Sequence, residues 1–287
     1  MCGSPASCII VRNLVSSQGQ TVTKGNDHRI KGGGRPCALC HRRLPLCDSH
    51  LLPKGIYRLL RKKATSQGPV HFGDGYSYST DKQVTDYLLC LDCEARFQRL
   101  GEGWVLRQCY RGESRFRLRS TIQSIAPDRQ NADIKVYSLT GNPAITPAES
   151  EMLIYFAMSV FWRAGVHTWR YEGRRIGIDL GPYLEPMRLY LTGEAAFPPR
   201  VILVIRISSL VKLAEFMNAP EGRNENGFHF HSFTIPGLTF LLFVGGWLNE
   251  QWFELATAPT PAHYVSISPN ADITALMNMA AVRKKSA

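Results

Sequence analysis

The sequence holds no apolar stretch long enough to cross a bilayer. Its longest runs, Met152–Trp162 and Leu238–Val244, fall well short of the ~18 residues that a spanning helix needs. Acidic residues are scarce, 23 Asp and Glu against 34 Lys and Arg. Residues Met1 to Cys8 contain no basic stretch followed by an apolar one. No secretory signal is therefore expected, and the cytoplasm is the expected compartment. At 287 residues and 44% apolar the chain is too long for a disulfide-stapled mini-protein and too apolar for a disordered one. That length suits one large or two modest domains, and two are expected.

The shortage of acid is confined to one half. Residues 1–145 carry 22 Lys and Arg against 11 Asp and Glu, whereas residues 146–287 carry 12 of each. A basic half joined to a neutral one predicts that the first half meets a polyanion, most often nucleic acid. The neutral half would then supply framework, or contacts to a protein partner or a second copy. Membrane contact is not expected.

Four of the eight cysteines form two C-x2-C pairs, Cys37 with Cys40 and Cys90 with Cys93. Two residues of spacing let both sulfurs of a tight turn face one ion, so two such pairs can place four thiolates around one tetrahedral zinc. Redox dithiols are the weaker reading, because neither pair sits in a βαβ pattern. Cys2, Cys8, Cys47 and Cys109 read as free thiols, with Cys47 near enough to act as a substitute ligand.

Along the chain, residues 1–34 read as a mobile leader rich in Ser, Thr, Gly and Gln. Residues 35–145 read as a basic zinc-binding domain and 146–287 as an α+β domain with an antiparallel sheet. Within the first, Lys54–Ala64 has helical periodicity, with Arg58, Arg61 and Lys62 on the face away from its apolar side. A second helix is expected over Leu91–Leu100. Trp104–Tyr110 and Ser114–Arg119 read as the strands of a hairpin. Strand alternation would put Arg115, Arg117 and Arg119 on one face, at a spacing suited to a phosphate backbone. In the second, Thr146-Pro-Ala-Glu149 is a capping box opening a buried helix over 147–165. Leu184–Gly193 reads as a helix, Arg200–Ile207 as a core strand, and Phe228–Ile235 with Thr239–Gly246 as a hairpin turning at Pro236-Gly237.

Between the knuckles lies Asp48-Ser-His-Leu-Leu-Pro53, followed by Leu88-Leu-Cys-Leu-Asp-Cys-Glu94. Over about residues 35–105 this layout resembles the HNH endonuclease family, whose ββα-metal core is often stapled by a zinc on two C-x2-C knuckles. The resemblance implies a zinc-stapled ββα module, a structural Zn2+ held by four cysteines, and phosphodiester hydrolysis with Mg2+ or a similar divalent cation. His50 would be the general base, with Glu94 and Asp48 as cation ligands. Nucleic acid would be the substrate, with DNA expected before RNA. The family usually has Asp or His immediately before its histidine, where this chain has Ser49, and no central Asn stands out. A non-catalytic zinc module that binds DNA or RNA is the alternative reading.

Overall fold

The longest helix forms where the sequence gives it a start signal. In the computed structural model, which describes residues 30–31, 34–61, 70–73, 76–79, 82–112, 115–209, 216–225, 228–245, 248 and 253–268, the Thr146 hydroxyl accepts the Glu149 N–H at 3.3 Å. The Glu149 carboxylate in turn accepts the Thr146 N–H at 2.9 Å, so both unpaired donors of the first turn are met. The helix that follows, Pro147–Val166, is buried on almost every side and forms the central rod of the molecule.

In chain order the elements begin with β1 (Ile30–Lys31), β2 (Leu46–His50), α1 (Lys54–Arg61), β3 (Val70–Gly73), β4 (Tyr76–Ser79) and β5 (Thr85–Cys90). A helical segment follows as α2 (Leu91–Phe97), a π-helical turn over Gln98–Glu102 and α3 (Gly103–Gln108). Then come α4 (Arg117–Ile122), β6 (Arg129–Gln130), β7 (Lys135–Ser138), α5 (Pro147–Val166), β8 (Trp169–Tyr171) and β9 (Arg174–Ile176). The last are α6 (Leu184–Thr192), β10 (Val201–Ile207), β11 (Asn218–Glu225), β12 (Phe228–Ile235), β13 (Leu238–Val244) and β14 (Tyr264–Ile267).

The chain is thus α+β. Its main sheet has seven strands in the order β11-β12-β13-β10-β14-β7-β6. β10 sits in the middle and is apolar on both faces, as a central strand covered on both sides must be. β12 and β13 form the expected hairpin, closing Ile235 against Leu238 with Gly237 at φ 86°. The sheet is not wholly antiparallel, because β10 and β14 run parallel. A smaller sheet, β1-β2-β5, carries the knuckles. β6 and β7 precede residue 146 yet pair into the large sheet, and one buried cluster runs from Cys37 to Ile267, so both sides of 145–146 share a core. Among the described residues no helix is long and apolar enough to cross a membrane.

The hairpin expected over Trp104–Arg119 does not form. Trp104, Val105 and Gln108 are buried along one side of α3, and Leu118 and Ile122, four residues apart, are buried in α4. Helical backbone continues beyond the expected end at Leu100 through the π-turn into α3, and Gly101 lets it pass close to α5: a Cβ there would lie 2.9 Å from the Phe156 backbone nitrogen. The leader expected over 1–34 lies outside the described residues except for β1 and Gly34, as do residues 62–64 of the first helix. The ribbons β3–β4 and β8–β9 are additions; β8–β9 turns on Glu172 and Gly173, both at positive φ, as a tight two-residue hairpin requires.

α5 is fastened to the small sheet at its end, where His167 Nε2 and Asp86 Oδ2 on β5 are 2.8 Å apart. Burial opposes the Asp86 charge, but the Tyr87 N–H, His167 and the more distant Arg35 hold its carboxyl below the usual range. A carboxylate with a lowered folded pKa stabilises the fold above its unfolded value of about 3.9 and stops doing so as pH falls through the folded value. Asp86→Asn should therefore lower the melting temperature at neutral pH, and the gap to wild type should narrow in thermal melts as pH falls below the unfolded carboxylate value of about 3.9. Gly101→Ala should destabilise by about 1–3 kcal/mol, the usual effect of an added methyl in a packed contact, as read by denaturant titration.

Candidate functional site

The two knuckles fold as their spacing demands. His41 N–H donates to the Cys37 carbonyl at 2.8 Å, and Cys37 N–H to the Arg42 carbonyl at 2.9 Å, which curls the first turn tightly. His41 takes φ 58° to close it, a conformation His tolerates better than branched residues do. The second pair spans the junction of β5 and α2, so Cys90 ends a strand and Cys93 lies one helical turn inward. Antiparallel pairing of β2 with β5 sets Leu46 opposite Cys90 and brings the knuckles together.

The sulfurs of Cys37, Cys40, Cys90 and Cys93 all lie within 4.8 Å of one another. Those of Cys40 and Cys90 are 3.8 Å apart. A tetrahedron with metal–sulfur bonds of about 2.3 Å has edges of about 3.8 Å, so the donor set fits one thiolate-bound ion. The Cys37 thiol is held down at about 4, chiefly by a hydrogen bond from Cys93 and by nearby backbone N–H groups, against the effect of burial. One of these donors is the Cys90 N–H, 3.3 Å from the Cys37 sulfur. Arg42 bridges the knuckles from outside through Asp92 at 3.0 Å. Cys47 is not part of the group; burial pushes its thiol up to about 11. Cys109 is likewise buried and apart.

Beside the cluster lies a cleft of about 700 Å³, walled by β2, α1, β5, α2 and α3. Asp48 and His50 of β2 and Glu94 of α2 all line it, together with Lys54, Arg58, Gln83, Glu102 and Arg163. The strand pairing that joins the knuckles also sets His50 opposite Thr85, and Glu94 follows Cys93 directly. One fold constraint therefore places both the sulfurs and the three cleft residues. Arg61 and Lys62 cannot be placed in it, since the Arg61 side chain and all of Lys62 lie outside the described residues.

The cleft is electrostatically uneven. Burial lowers the His50 pKa, as do Lys54 and Arg163, while Gln83 and Asp48 act in the opposite direction. Glu94 is pushed up to about 7 by burial, with Arg163 and the Ser49 hydroxyl partly offsetting it. Its Oε1 is buried with no hydrogen-bond partner. Ser49, immediately before His50, points into the protein: its hydroxyl accepts the Leu89 N–H at 3.1 Å.

Arg163 forms the floor. Only 1% exposed, it pairs with Glu102 at 2.6 Å and donates to the His50 carbonyl at 2.8 Å. Its guanidinium also lies over the Phe97 ring at 5.1 Å. Sequence reasoning missed Arg163 and Glu102; the available signal was a lone arginine one turn beyond Ser159 at the end of an apolar helix. Gln83 and Lys54 were missed too, neither having a sequence context that marks it.

The arginine row of residues 115–119 is broken up. Arg119 is turned inward, giving its Nη1 to the carbonyls of Ser208 at 3.3 Å and Ser209 at 3.1 Å, so it fastens α4 and faces no open groove. Arg115 and Arg117 are exposed and line a second concavity. Comparison with protein-family models, curated proteins and solved structures finds no match to the chain.

The cluster generates a direct expectation. Protein purified without chelator should carry one thiolate-bound metal ion per chain by elemental analysis. Cys40→Ser or Cys93→Ser should lose it and expose the small sheet to proteolysis, because three thiolates no longer close the tetrahedron.

Proposed function

We propose that the cleft is the active site of a metal-dependent endonuclease of the HNH type and that the four cysteines hold a structural zinc. The observation that carries this reading is that Asp48, His50 and Glu94, from two elements and 46 positions of sequence, line one cleft beside the sulfur cluster, with Lys54 and Arg58 in the same lining. The pairing of β2 with β5, and α2 following β5 directly, support this reading, although α1 and the β3–β4 ribbon lie between the two strands. With four thiolates the zinc has no open position, so it staples and does not catalyse.

Phosphodiester hydrolysis joins a water oxygen to phosphorus and breaks the bond to the leaving sugar oxygen. His50, its pKa lowered from the ordinary histidine value, is neutral at pH 7 and available as the base that takes the water proton; the leaving oxygen is protonated from solvent. Glu94, with its unmet buried oxygen, and Asp48 would hold a hard cation such as Mg2+, which when bound neutralises charge building on the phosphate and leaving oxygen. Lys54 and Arg58 line the same cleft and would orient the phosphates. DNA is the first substrate to test and RNA the second.

One observation favours a non-catalytic zinc module that binds nucleic acid: Arg163 already places a protein cation against the acids of the cleft. Cleavage separates the readings. Plasmid DNA and structured RNA are incubated with the protein in Mg2+, Mn2+ or EDTA, beside His50→Ala. The nuclease reading expects cation-dependent cleavage that falls about 10²–10⁴-fold in the variant, with zinc content and nucleic-acid affinity unchanged. Binding without cleavage under every cation supports the module.

A further inference from the structure

The second concavity, of about 490 Å³, is lined by Arg107, Arg111, Arg115 and Arg117, with Phe116 beneath them. All four arginines are exposed, and none forms an ion pair with an acidic group among the described residues. Four cations around one hollow, none with an acidic partner among the described residues, make it attractive to an anion. The hollow is also built, not an accident of long side chains. Arg111 N–H donates to the Arg115 carbonyl at 2.9 Å and Arg115 N–H to the Gly112 carbonyl at 2.8 Å, folding the chain back so the two arginines stand side by side. Both ends of that turn are anchored: Tyr110 N–H donates to the Pro236 carbonyl at 3.0 Å, and Phe116 is buried edge-on to Tyr110.

Two of the guanidinium groups are held in advance. Arg107 gives one N–H to the Gly103 carbonyl at 2.8 Å, and Arg111 gives one to the Leu106 carbonyl at 2.8 Å. A guanidinium has five N–H donors in a rigid fork, so most remain for a ligand and less freedom is lost on binding. Forked donors of this kind match phosphate oxygens. Four in one basin suit several phosphates in succession more than a single small anion.

The basin adjoins the cleft. Leu106 lines the cleft and Arg107, the next residue of α3, lines the basin; the Leu106 carbonyl itself is the acceptor that holds Arg111. We infer that the basin is a docking site for the sugar-phosphate backbone of a nucleic acid whose neighbouring segment lies in the cleft. This deepens the nuclease reading and rests on it for the identity of the polyanion. Arg107 and Arg111 thereby join Arg115 and Arg117 as phosphate contacts, and Arg119 leaves the set.

The experiment reads binding, not turnover. In full-length His50→Ala protein, the affinity for a short fluorescent DNA duplex is measured over a range of salt concentrations without divalent cation. Combining Arg111→Gln, Arg115→Gln and Arg117→Gln should weaken binding equally for unrelated sequences. It should also flatten the slope of log affinity against log salt by about 0.9 for each phosphate that is no longer neutralised. Its melting temperature should match the parent, since the side chains replaced are exposed. Arg170→Gln with Arg175→Gln, which removes exposed charge from β8–β9, should leave the slope in place. A triple variant with the slope of that control overturns the proposal. So does inorganic phosphate that displaces the duplex at equal phosphate concentration, which would make a small anion the occupant. If the basin variants flatten the slope while wild type cleaves nothing under any cation, the basin stands and the active-site reading alone fails.

Discussion

A single buried guanidinium ties the two halves of the sequence together. Arg163 stands at the end of the apolar helix α5 and reaches the last carbonyl of β2, the carboxylate of Glu102 in the π-turn and the hydroxyl of Ser159 on its own helix. Taking such a charge out of water costs several kcal/mol, which is offset only because each face of the group finds an acceptor. Breaking a pair of this kind leaves an uncompensated charge and typically costs about 3–5 kcal/mol. The pair therefore fixes position more than it adds stability: where β2 ends, where the π-turn passes and what forms the floor of the cleft are settled together.

The sulfur cluster works from the other side of the same cleft. Four thiolates placed to share one ion join the turn before β2 to the start of α2, and an ion held there would leave the strand bearing Asp48 and His50 and the helix bearing Glu94 little freedom to part. The close approach of Gly101 to Phe156 then seats the helical segment on α5. A cation site or a general base needs placement to within a fraction of an ångström, and here rigid elements, not loops, provide it. The exposed arginines of the neighbouring basin add cations beyond the cleft, where the proposed contacts to phosphate would position a strand without reading its bases.

What could be read in advance was what local sequence determines. The C-x2-C pairs, the capping box at Thr146 and the Pro236-Gly237 turn each encode their own geometry within a few residues, and each appears in the structure. Two residues of the cleft, His50 and Glu94, were legible because they stand at fixed offsets from the knuckles, whereas Arg163, Glu102, Gln83 and Lys54 of the same lining were not. The segment 104–119 was not. Trp104, Val105 and Tyr110 favour strands and Arg115–Arg119 alternates, but tertiary packing overrode both, because the helix continues through two glycines and buries Trp104. Long-range pairs were hidden for a different reason: Asp86 and His167 are 81 residues apart with nothing local to mark them, and the lone Arg163 gave no sign of its partner Glu102, 61 residues away.

On the proposed nuclease reading, the cleft holds a second, oxygen-bound cation distinct from the ion on the sulfurs. Anomalous diffraction from crystals of the full chain grown with Mn2+ tests it most directly. Two peaks are expected, one among Cys37, Cys40, Cys90 and Cys93 and one in the cleft between Asp48, His50 and Glu94. A single peak at the sulfurs, with the Mn2+ concentration raised and the cleft open to solvent in the lattice, would contradict it.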